Sequence, residues 1–104
     1  MTNVTTIAGG LDVSSNADTN ITSATTTTIK SGSGTLVRIV NNKKVANGVI
    51  TIYDNTAASG TKIGTITNPA TLLDSAQTYE YGVGFTTGLT IVTSAAEDLT
   101  VVWK

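Results

Sequence analysis

Cysteine and histidine are absent from the chain, and proline, tryptophan, phenylalanine and arginine occur once each. Without cysteine there is no disulfide framework, no thiolate nucleophile and no Cys-ligated zinc or iron–sulfur centre. Without histidine, the commonest general base and the commonest metal ligand are both missing. Six basic against seven acidic residues leave a net charge of −1, a poor electrostatic match to a phosphate backbone. No nucleic-acid partner is expected on that ground. No apolar run approaches the roughly 18–20 residues of a membrane-spanning helix, so no membrane partner is expected either. The opening MTNVTTIAGG has neither a basic nor an apolar stretch and is not expected to act as a secretory signal.

What the chain does have is threonine, at 22 of 104 positions. Its branched Cβ is stiff in a helix and fits the pleated surface of a strand. Charged residues are 12%, about half the usual quarter. The apolar 39% is mostly the small residues Val, Ile and Ala. One domain of this size folds with a narrow margin, on the order of 5–15 kcal/mol. Lacking disulfides and metal clusters, it has oligomerisation or docking as its remaining supplement.

Residues 1–20 are polar and simple, with isolated Val4, Ile7, Leu11 and Val13 and a Gly9-Gly10 break. They read as an extended N-terminal arm, with one short strand over residues 4–8. From residue 21 onward, short β-branched runs alternate with turn residues. The expected strands lie at 21–30 (ITSATTTTIK), 35–40 (TLVRIV), 49–53 (VITIY), 61–67 (TKIGTIT), 78–85 (TYEYGVGF), 89–93 (LTIVT) and 99–104 (LTVVWK). Residues 41–48 read as a loop, and 71–77 (TLLDSAQ) as a loop or a single helical turn. Alternation in 78–85 places Tyr79, Tyr81, Val83 and Phe85 on one face. Leu99, Val101 and Trp103 share a face in the same way. Seven or eight strands at roughly 8–12-residue spacing make an all-β antiparallel β-sandwich, Ig-like or jelly-roll. The expected domains are the arm at 1–20 and the sandwich at 21–104.

Few residues carry a pattern that points to chemistry. Asp12-x-Ser14-x-Asn16-x-Asp18 opens like a calcium loop, but Ala17 and Ser23 stand where such a loop needs Gly and a bidentate Glu. No metal or other cofactor is expected. Asn3-Val4-Thr5 and Asn20-Ile21-Thr22 fit the glycosylation sequon by chance in a chain so rich in Asn and Thr. Gly82-x-Gly84 sits inside a strand and reads as a bulge or a close backbone approach, since a dinucleotide loop needs a helix after it. Asp54, Asp74, Glu80, Glu97 and Asp98 show no spacing that selects a catalytic pair, and solvation is expected for them. Lys43-Lys44 is too short a basic spot for a nucleic-acid surface. The aromatics Tyr79, Tyr81, Phe85 and Trp103 are expected in the sandwich core, or at an interface where Tyr and Trp are enriched.

The segments 34–66, 79–93 and 99–104 carry a recognisable pattern. Its landmarks are Arg38, Tyr53-Asp54-Asn55, Gly60-Thr61-Lys62, Gly82, Phe85, Gly88-Leu89 and Val101-Val102. Over roughly two-thirds of the chain this resembles small β-sandwich virion proteins of tailed bacteriophages. The resemblance implies a non-enzymatic structural component, of the capsid decoration or cement type. The implied partners are the major capsid protein and further copies of the chain, as a trimer. The implied location is the capsid surface of the virion, after synthesis in the host bacterial cytoplasm. In that setting Val4, Ile7 and Leu11 would anchor the arm along another sheet edge. The alternative is a tail- or fibre-associated module binding host-surface glycan, with Tyr79, Tyr81 and Trp103 as its clustered aromatics.

Overall fold

A computed structural model of the protein describes residues 16–104. Among these it contains eight strands and no helix: β1 (Ala17–Ile21), β2 (Thr26–Ser31), β3 (Gly34–Lys43), β4 (Val49–Asp54), β5 (Thr61–Thr67), β6 (Gln77–Phe85), β7 (Gly88–Thr93) and β8 (Asp98–Trp103). They form two four-stranded antiparallel sheets, ordered β1-β8-β3-β6 and β2-β7-β4-β5.

The order has a simple origin. The first strand pairs with the last, the second with the seventh, the third with the sixth, and the fourth with the fifth. The chain is therefore a long hairpin of nested pairs. Rolled up, it adds the contacts β3–β8 and β4–β7 that complete each sheet. Eight strands in this order are the jelly-roll form of the sandwich, which resolves the choice between jelly roll and Ig-like.

Strand alternation fills the space between the sheets. Ile21, Leu36, Ile39, Phe85, Leu99 and Val101 come from the first sheet, and Ile50, Ile52, Leu89 and Ile91 from the second; all ten are buried. Removing them from water is the main favourable term in folding, about 1.5–3 kcal/mol per side chain. In β3 the buried positions step from Leu36 to Ile39 and Asn41, because the register shifts between Leu36 and Arg38. The facing irregularity in β6 holds Gly82 at φ +62°. A residue without Cβ adopts that conformation at no steric cost, in agreement with the bulge expected there.

Three boundaries differ from the sequence reading. The expected strand at 21–30 is two strands, because the chain crosses from one sheet to the other between Ile21 and Thr26. The crossing is fixed by Thr25, which exchanges backbone hydrogen bonds with Thr93 at 3.1 and 2.9 Å. Strand β3 runs on to Lys43, since its end pairs with Asp98 of β8. Strand β1 takes in residues 17–20, the end of the segment expected as the arm. Residues 71–77 contain no helical turn. The rest of the arm, with Val4, Ile7 and Leu11, lies outside the described residues.

Candidate functional site

Each sheet turns one face to the core and one outward, and the two outward faces are chemically unlike. Directly paired residues share a face. On the first sheet, Asp18, Val102, Arg38 and Glu80 lie in one outward row, and Asn20, Thr100, Val40 and Thr78 in the next. Arg38 Nε donates to Glu80 Oε2 at 2.8 Å. Asp98 Oδ1 accepts from the side-chain amides of Asn20 and Asn42. This face is charged, and Arg38 and Glu80, and Asn20, Asn42 and Asp98, are engaged with one another.

On the second sheet the corresponding rows are Thr26, Val92, Thr51 and Thr65, then Val49 and Thr67. Beside them Thr28, Thr90 and Tyr53 form a third row. These nine positions carry no charge; Lys62, opposite Tyr53, stands at the margin. The β4–β5 loop folds over one end of the face. Thr28 Oγ1 donates to the Thr56 carbonyl at 3.1 Å and Thr90 Oγ1 to the Asn55 carbonyl at 2.8 Å. Thr90 is fully buried as a result. What stays accessible is a surface of methyls and hydroxyls centred on Thr51, bounded by Thr26, Thr65, Thr67 and Tyr53.

The four singled-out aromatics do not gather into one patch. Phe85 is in the core. Tyr81 is half-buried and packs against the core from the edge strand β6. A Cβ at Gly64 would stand 3.0 Å from its phenol oxygen, so Gly64 of β5 makes room for Tyr81 to close the gap between the two sheets. Burial, with a smaller contribution from Tyr79, raises the Tyr81 phenol above its ordinary pKa. Tyr79 is half-buried and its hydroxyl donates to Gln77 Oε1 at 3.2 Å. Trp103 packs against the core on β8, its Nε1 donates to Thr19 Oγ1 at 3.1 Å, and Lys30 Nζ lies 5.8 Å from its ring.

The carboxylates depart from the expectation of simple solvation. Glu97 is fully buried at one end of the sandwich. Its Oε1 accepts from Asn41 Nδ2 at 2.7 Å and from Asn68 Nδ2; its Oε2 has no protein partner and lies over Gly48. Asn68 also donates to the Val45 carbonyl. The group ties β3, the β5–β6 connection and the β7–β8 turn together. At the opposite end of β4, Asp54 accepts from the Thr87 and Thr86 amides at 2.9 and 3.1 Å. Those amides hold its carboxyl below the ordinary value of 3.8. Asp74 pairs with Lys44 Nζ at 2.6 Å and raises the Lys44 pKa. Asn20 is likewise committed, to Asp98 and to the Leu99 carbonyl. Asp18, the last position of the calcium-like pattern, is a strand residue opposite Val102.

Among the described residues no three of His, Cys, Asp and Glu are grouped to hold a metal ion. Comparison with protein-family models, curated proteins and solved structures finds no match for this chain.

Proposed function

We propose that the protein is a non-enzymatic structural component of a phage virion, a capsid decoration or cement protein. It would dock on the major capsid protein through the outer face of the second sheet. The observation that carries this reading is the uncharged Thr/Val/Tyr surface centred on Thr51. Interface centres are depleted in charged residues, because an unpaired charge is costly to strip of water. Threonine presents a methyl and a hydroxyl together, and each hydrogen bond it forms is worth about 0.5–1.5 kcal/mol net.

The face is small. Four strands about 4.8 Å apart and six residues long cover on the order of 400 Å², about half of what a standard interface buries per partner. One such contact is weak. A cement protein overcomes that by multivalency, since linked copies bind their neighbours at high effective concentration. The reading therefore requires a homo-oligomer, and assigns Val4, Ile7 and Leu11 of the arm to a second contact. The jelly roll is compatible with the role, but the fold alone does not select it. A glycan-binding module is less well supported, because Tyr81 and Trp103 are turned toward the core.

Quantitative mass spectrometry of the source particle tests the role. A copy number comparable to the shell protein is expected. A handful of copies would move the protein to the tail or a fibre, and none would remove the virion reading. Deleting residues 1–12 should weaken docking and leave the melting temperature unchanged; full docking by the truncated chain would refute the arm contact.

A further inference from the structure

We infer that Asn47 is a self-modifying residue: it loses its side-chain amide to attack by the Gly48 nitrogen, and the end of the sandwich around buried Glu97 controls the rate. The site is independent of the docking role proposed above.

The dipeptide Asn-Gly occurs once in the chain, at 47–48. Attack of a main-chain nitrogen on the side chain of a preceding asparagine is hindered by the attacking residue's Cβ, and glycine has none. The fold itself calls for these residue types. Among the described residues Asn47 is the one non-glycine at positive φ, +64°, a conformation that Asn enters more readily than most residues with a side chain. A Cβ at Gly48 would stand 2.8 Å from Glu97 Oε2 and 3.0 Å from the Val45 carbonyl, so position 48 has room for glycine alone. Asn47 is exposed to water, while Gly48 is buried.

The reaction needs water and no other reagent. Gly48 N bonds to Asn47 Cγ and gives up its proton; the side-chain nitrogen leaves with that proton as ammonia, closing a cyclic imide. Water then opens the ring at either carbonyl. One opening gives aspartate in an ordinary main chain. The other gives isoaspartate, with the main chain rerouted through the side chain and one carbon longer.

In the closed structure the attack is blocked. The Gly48 amide donates to the Val45 carbonyl at 3.0 Å, and the Gly48 carbonyl accepts from the Asn68 amide at 2.9 Å. The Asn68 side chain is itself anchored on the Val45 carbonyl and on Glu97. Bringing Gly48 N onto Asn47 Cγ rotates the peptide unit between them and breaks both main-chain bonds. Only the locally opened molecule reacts, so the rate follows the opening of this end. Isoaspartate makes the opening permanent: its extra main-chain carbon displaces Gly48 where Glu97 leaves no room.

Incubation of the full chain in mildly alkaline buffer, native and unfolded in guanidinium, tests this. Mass mapping of the tryptic peptide 45–62 follows Asn47, with Asn55 in the same peptide as the internal control. Asn47 should convert first in the unfolded chain, and about 10- to 100-fold more slowly in the native one. Asn47→Gly keeps the positive φ without the amide, so it should fold normally and show no conversion at 47–48. The isoaspartate fraction should melt below the unconverted chain. Conversion of Asn55 ahead of Asn47, or native protein still intact after about 100 unfolded-state half-lives, would overturn the site. Equal native and unfolded rates, or equal melting of converted and unconverted chains, would overturn the control by the fold.

Discussion

The two outer faces of the sandwich are built from the same kind of strand, yet they treat polar atoms differently. On the first sheet Arg38 meets Glu80, and Asn20 and Asn42 converge on Asp98. Those groups satisfy one another and water, so covering that face would strip charges of solvent. On the second sheet Thr26, Val49, Thr51, Thr65, Thr67 and Val92 present no charge to be stripped of water, only hydroxyls that a partner must hydrogen-bond. Where that face needed closing, at Thr28 and Thr90, the protein's own β4–β5 loop supplied the acceptors. The difference separates a charged face from an uncharged one, and the uncharged one is the face we propose for docking.

The sharpest way to break this comparison is to place a charge at the centre of the second sheet. Thr51→Glu should lower occupancy on shell particles by at least about 100-fold, or about 2.7 kcal/mol. Circular dichroism should show the fold retained, since outward strand substitutions cost up to about 1 kcal/mol. Glu97→Ala comes next. It leaves the buried amides of Asn41 and Asn68 without their acceptor, and also removes an unpartnered oxygen. The net loss should be about 2 kcal/mol in chemical denaturation.

Asp54 has a pH signature. Its native pKa is depressed by the Thr87 and Thr86 amides. Its contribution is therefore complete above the ordinary value of 3.8 and is lost as pH falls through the lower native value. Asp54→Asn should reduce stability at neutral pH and flatten the loss of stability on acidification below pH 3.8, followed by thermal melts across that range. The smallest effect belongs to the charged face. Arg38→Ala breaks an exposed pair and should cost less than about 1 kcal/mol, with particle occupancy unchanged.

Much of the fold was legible from the chain itself, for identifiable reasons. Strands β4 and β7 are short β-branched runs bounded by turns. Strand β8 declares its face through Leu99, Val101 and Trp103, and β6 through Tyr79, Tyr81 and Phe85, although Val83, expected on the same face of this edge strand, is 37% exposed. The run of four threonines at residues 25–28 gave no such signal. Thr27 faces inward opposite Ile91, while Thr26 and Thr28 face outward, and one residue type on both faces erases the period of two. The same uniformity hid the contrast between the outer faces, which appears only once pairing puts Thr51 between Val92 and Thr65. Glu97 was illegible for another reason. Its partners Asn41 and Asn68 lie 56 and 29 residues away, and nothing local distinguishes it from its exposed neighbours.

Hydroxyl-radical footprinting of the protein, free and bound to particles, tests the central claim most directly. Tyr53 reports on the second sheet's outer face, and Tyr79, on the edge strand of the first sheet, is the internal control. On particles the oxidation of Tyr53 should fall several-fold while that of Tyr79 stays as in the free protein. Equal oxidation of Tyr53 in the two states would contradict the account.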